Sequence, residues 1–224
     1  MINELTVAQL DAITLALSSG RLATFDAAAG FSAGAGVLDK YSWHALTSAA
    51  FFASLHICEV AIRNGVDTAL QATYGPSWPW STTFERSLPN PLGNNFNPKK
   101  ELLRVRGKTQ SRETGRVIAE LRFAFWCHMF TSRYQVRVWD AHIATVFPAL
   151  PPEYSSAQAR HVIHMELDSL RKFRNRIAHH EPIFADPLLH RHQSIRSLVN
   201  WRCPELHRWH SAWEIVTLAI EKKP

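Results

Sequence analysis

Cysteine is scarce: three residues in 224, at Cys58, Cys127 and Cys203. An odd, widely spaced set argues against a disulfide framework and offers no paired-thiol zinc pattern. Each thiol is expected to be a small buried apolar side chain, in a reducing, cytoplasmic setting. No apolar run is expected to reach the length of a membrane span. The N-terminus lacks the basic-then-apolar pattern of a signal peptide. Membrane association is therefore not expected. Alternating apolar and polar residues, the mark of a strand, are rare, and neither an internal repeat nor a low-complexity tail is present.

Apolar residues make up 46% of the chain, with eight Trp and twelve Phe, so it has the means to bury a full core. The formal charge of +6 suits a polyanionic partner, although an ordinary basic protein has the same balance. The class expected is all-α, an antiparallel helical bundle. Residues 1–36 read as a short N-terminal helical arm or lid, with helices from Thr6 to Leu17 and from Leu22 to Ala28 separated at Gly20. Residues 37–224 form the main helical domain. Its first helix is expected from Ser42 to Thr73, with Phe51, Leu55, Ile62, Val66 and Leu70 on one stripe, ended by Gly75-Pro76. Residues 75–98 read as a long loop. A helix capped by Thr109 or Ser111 should run to Phe130, and another from Tyr134 to Val146. A further helix should open at Ser155 or Ser156 and continue to His180, because Pro182 disfavours helix at Glu181. Two last helices are expected over residues 189–200 and 204–221.

Near the end of that long helix stands Arg174-Asn175-Arg176-Ile177-Ala178-His179, followed by His180-Glu181-Pro182. A guanidinium can hold a phosphate and an imidazole can move a proton near neutral pH. Together they are a minimal kit for cutting RNA with no metal and no other cofactor. On a helical wheel Arg174 falls about 20° from the apolar stripe that starts at Ile163, while Arg174 and His179 lie about 140° apart. One straight helix does not bring them side by side, and a site built from two copies would. Glu59 falls about 40° from the stripe of its own helix. Two seam-facing charges of opposite sign are expected to meet, with Glu59 orienting Arg174, or simply fixing helix register. His179 has an ordinary alternative as a helix C-cap. His180 can substitute for it in the catalytic reading, because the doubled histidine leaves the phase open. Three adjacent residues give poor coordination geometry, so no metal is expected at His180 and Glu181.

Residues 99–116 hold Lys99, Lys100, Arg104, Arg106, Lys108, Arg112 and Arg116 against Glu101 and Glu113. This run can track an RNA backbone or be a solvated helix face. Trp78, Trp80 and Phe84 can stack on bases, or anchor their loop to the core.

The string Leu-Arg-Lys-Phe-Arg-Asn-Arg-Ile-Ala-His-His-Glu-Pro-Ile-Phe resembles the Abi-like (abortive-infection) proteins of the AbiD/AbiF type, in the HEPN superfamily. Two other stretches match in order: Tyr41-Ser42-Trp43 through Glu59-Val60-Ala61-Ile62-Arg63-Asn64, and Glu120-Leu121-Arg122-Phe123-Ala124-Phe125-Trp126 through Trp139 to Phe147-Pro148. The likeness covers about residues 40–185, and nothing in it accounts for the Gly- and Ala-rich stretch from Ala27 to Gly36. The resemblance implies a HEPN-type bundle and a homodimer with both Arg-Asn-x-x-x-His motifs across one cleft. It also implies a metal-independent endoribonuclease of an antiviral or toxin-type system, with an inhibitory RNA or antitoxin as a possible partner. His179 would act as general base or acid, Arg174 would hold the phosphate, and Asn175 would position phosphate or imidazole. The competing expectation is a non-catalytic RNA-binding or dimerisation module whose motif is structural.

Overall fold

An apolar stripe at helical spacing needs a mate, and the stripe from Phe51 to Leu70 finds several. In a computed structural model, which describes residues 5–32, 34–93, 95–109 and 112–224, this stripe lies on α3, Val37–Tyr74. Its residues are almost fully buried. Around it the described residues form an all-α helical bundle with no strand. Gly75, at φ 85°, ends α3 in a conformation that costs glycine little.

The arm is two different things. α2, Ser19–Asp26, packs on α3 and buries Leu22 and Phe25, the latter edge-on to Tyr41, His44 and Phe184. α1, Val7–Leu17, is closed at its start by a Thr6/Gln9 capping box and buries no residue. Gly20 lies inside α2, because the break falls at Ser18, whose φ is 70° and whose side chain caps the second helix. α3 is also long and apolar enough to cross a membrane by length and composition, which corrects the expectation that no run reaches that length. The core face of this helix is buried within the protein.

Residues 75–98 are less loop-like than their composition implies. Trp78 sits in a short 3-10 turn and Phe84 in α4, Thr82–Ser87, and both are fully buried. They are anchors, and the Trp78 indole donates to Asp67 at 2.7 Å. The basic run forms α5, Pro98–Lys108, with Asn97 as its cap. Ser111 lies outside the described residues, and Thr109 closes α5 rather than opening the next helix. The single helix expected as far as Phe130 is two, α6, Thr114–Glu120, and α7, Phe123–His128. The Arg122 backbone N–H, which a continuous helix would use, donates instead to the Glu101 carboxylate at 3.3 Å. A π-helical stretch, Gln135–Trp139, leads into α8, Asp140–Val146.

α9, Ser156–Ala178, opens on a Ser155/Gln158 capping box and buries Ile163, Leu167, Leu170, Phe173 and Ile177. α10, Leu188–Arg202, follows it. The last expected helix is likewise two: α11, Pro204–Ser211, and α12, Val216–Glu221. Between them Glu214 turns inward, accepting from Val216 N at 2.7 Å and meeting His192 Nε2 at 3.2 Å.

α9 meets α3 through the rings of Phe51 and Phe173, edge-on with centroids 5.0 Å apart. Both are buried. Phe173→Ala should therefore destabilise the fold by about 3–5 kcal/mol, read as a lower urea midpoint with an unchanged helical spectrum in the folded baseline.

Candidate functional site

The C-terminal turn of α9 decides where the motif side chains can go. His179 is the cap residue, and His180 follows at φ 56°. His180 N donates to Ile177 O at 3.0 Å, and Glu181 N donates to Arg176 O at 2.8 Å. These are the two bonds of a Schellman turn, with a histidine where glycine is usual. Three side chains pin it. Arg21 donates to His180 O at 2.6 Å, the His44 ring contacts Glu181 O at 3.1 Å, and Arg176 donates to Pro182 O and Asp186. Burial holds the His44 imidazole below its ordinary pKa, partly offset by that backbone contact. Arg176 is thus an anchor. Nothing in the sequence distinguishes it from Arg174 except its phase on the helix.

Arg174 points the other way, across α3. Its Nε lies 3.9 Å from Glu59 Oε2, an ion pair too long for a hydrogen bond. Its guanidinium stands 5.9 Å from the Phe52 ring centroid. The wheel led us to expect a buried arginine, but the side chain is 35% exposed, against 22% for Glu59. A long side chain near a helix end can lay its stem on the seam and carry its charge outward. Burial raises the Glu59 pKa above the ordinary carboxylate value, while Arg174, Arg63 and His56 pull it back. An ion pair this exposed contributes less than about 1 kcal/mol. Losing Glu59 therefore removes little stability through this pair.

Arg174 and Asn175 line a groove of about 1270 Å³ that also takes in Arg171, Lys100, Arg104 and Arg122. Here the motif and the basic run converge. At i and i+4 Asn175 and His179 are expected to share one flank facing away from the apolar stripe, but Asn175 shares this groove with Arg174 instead. His179 and His180 are exposed and do not line it. The basic run splits by face. Lys100 and Arg104 reach the groove, whereas Lys99 and Arg106 turn to Glu85 at 3.8 and 2.9 Å, and Arg106 also donates to Pro79 O. Lys108 and Arg112 are exposed and lie outside the groove.

Glu101 organises the groove rim. It is 2% exposed, yet its carboxylate accepts from Arg104 Nε and Nη2 at 3.2 and 3.1 Å, and from Arg122 Nε and Nη2 at 2.9 Å each. Arg122, expected only as part of a helix, stacks over Phe96 at 5.5 Å. The sequence held one signal for Glu101, an acid near the start of a basic run.

Two of the three thiols are buried as expected, and the third, Cys203, is only partly so. Cys58 and Cys127 are buried, and burial pushes the Cys58 pKa up to about 12, far from nucleophilic use. Cys203 caps α11, its sulfur accepting from Leu206 N.

Comparison with family models, curated proteins and solved structures returns no match for this chain.

Burial raises the Glu101 pKa, but the hydrogen bonds from Arg122 and Arg104 outweigh it, so the net shift is downward. A lowered folded pKa means that the stabilising contribution is whole above the unfolded value of about 4.3 and is lost as pH falls through the folded one. Glu101→Gln should therefore cost about 1–3 kcal/mol at pH 7. The gap from wild type should hold down to about pH 5 and close below about pH 4. Urea denaturation across that range measures it.

Proposed function

We propose that this protein is a metal-independent endoribonuclease, and that RNA lies in the groove between α5, α7 and α9. The observation that carries the reading is the convergence of Arg174 and Asn175 with Lys100, Arg104, Arg122 and Arg171 on one surface. Five cations there face Glu59, Glu101 and Glu120, and Glu101 is already occupied by two of them. That balance favours a phosphate backbone. The family resemblance of the motif string supports the same reaction, the same homodimeric assembly, and a role in abortive infection or toxin-type defence.

In this reading Arg174 holds the scissile phosphate and stabilises the charge that grows on it. His179 moves a proton, and the products are a 2′,3′-cyclic phosphate and a 5′-hydroxyl. Because Arg174 and His179 leave α9 on different sides, a second copy completes the site, bringing its own His179 to the groove. A neighbouring antitoxin or inhibitory RNA would act by occupying the same surface, and the setting is cytoplasmic. A second reading has its own support: the same separation of Arg174 from His179 suits a module that only holds RNA.

Total RNA incubated with EDTA separates the two. Wild type should cleave it and His179→Ala should lose about 10²–10⁴-fold in rate. His180→Gly suits the left-handed turn and should keep the activity. Charge reversal at Lys100 or Arg104 should weaken binding evenly across sequences and flatten the salt dependence, by about 0.7 in log–log slope per lost single-strand contact. Arg106→Gln should leave the slope unchanged. Binding without cleavage, unaffected by His179→Ala, would establish the non-catalytic module instead.

A further inference from the structure

Cyclising cleavage moves two protons, one off the ribose 2′-hydroxyl and one onto the leaving 5′-oxygen, and His179 of the motif accounts for one of them. A second histidine stands on α3. Phe52, His56, Glu59 and Arg63 follow one another at steps of four, three and four, so they form one ridge on the helix surface. Arg174 lies across this ridge, and a crevice of about 110 Å³ opens between them, lined by His56, Glu59, Arg63 and Arg174 with Leu55 and Phe52. A water molecule takes about 30 Å³, so the space is large enough for a phosphate group. Two guanidinium groups face one carboxylate there. Arg63 lines the crevice with a guanidinium whose Nε is buried without a hydrogen-bond partner, so its donors are not all taken up within the protein. His56 is exposed at the edge of the same crevice, where an attached ribose would stand.

We infer that this crevice is the scissile-phosphate site and that His56 is the catalytic base that takes the 2′-hydroxyl proton. The inference rests on the ribonuclease reading and names the atoms that reading leaves open. As O2′ bonds to phosphorus, the P–O5′ bond breaks. The 2′ proton passes to His56, and protonated His179 gives its proton to O5′. The products are the cyclic phosphate and the 5′-hydroxyl, and exchange with water resets both imidazoles. Arg63 and Arg174 hold the non-bridging oxygens, and Glu59 keeps Arg174 over the ridge.

The test uses an end-labelled single-stranded oligoribonucleotide in EDTA, and a second substrate with sulfur in place of the bridging 5′-oxygen. His56→Ala should slow cleavage of the first by about 10²–10⁴-fold. The rise of rate with pH on the acid side, where a base must lose its proton, should vanish. A thiolate leaves without a proton, so the sulfur substrate should rescue His179→Ala and leave His56→Ala slow. A His56→Ala rate within threefold of wild type, or rescue of His56→Ala by the sulfur substrate, would overturn the assignment. If wild type cuts no RNA, the ribonuclease reading fails by itself and the crevice is judged by inorganic phosphate alone. The His56 C2 proton should then shift on phosphate titration in wild type and not in Arg63→Ala. An unmoved His56 signal in wild type would overturn the site.

Discussion

The crossing of α9 over α3 is the constraint from which the rest of the arrangement follows. Phe173 packs on Phe51 inside the protein, which leaves the next residue, Arg174, at the edge of the same seam. The energy of the crossing comes from apolar burial, because the ion pair with Glu59 is long and partly solvated. The charges at its edge are therefore not needed to hold the helices together. They remain available to a ligand, and the groove and the crevice both open from that edge.

Two anchoring systems keep that edge in place. At one end Glu101, buried between α5 and α7, collects Arg104 and Arg122 and turns a repulsive pair into a fixed rim. At the other, Arg176, Arg21 and His44 hold the Schellman turn that ends α9. The second system has a mechanistic consequence. It holds His179 exposed and outside the groove that Arg174 lines, so the two side chains do not share that surface within one chain. Under the proposed ribonuclease reading, a composite site, with proton transfer shared between copies and with α3, fits that fixed turn.

Much of this was legible in the sequence. The start of α9 at Ser155, its stop before Pro182 and the meeting of Glu59 with Arg174 all follow from periodicity and capping residues. What escaped depends on contacts across the chain. Nothing local breaks the helix at Arg122, whose N–H is drawn off by a carboxylate 21 residues away. Glu85 on α4 divides the basic run into anchors and groove residues, and no pattern within residues 99–116 announces it. Arg174 read as buried because a wheel has no length, whereas its long side chain reaches the surface. His56 has no motif around it and becomes visible only once α9 lies across α3.

RNA is proposed to run through the groove between α5, α7 and α9 and to reach Arg174. Crosslinking with a 4-thiouridine-substituted single-stranded RNA, followed by mass spectrometry of the attached peptides, tests it most directly. Adducts are expected on peptides that contain Phe96, Lys100, Arg122 and Arg174. Adducts confined to α10, α11 and α12, with the groove peptides unmodified, would contradict it.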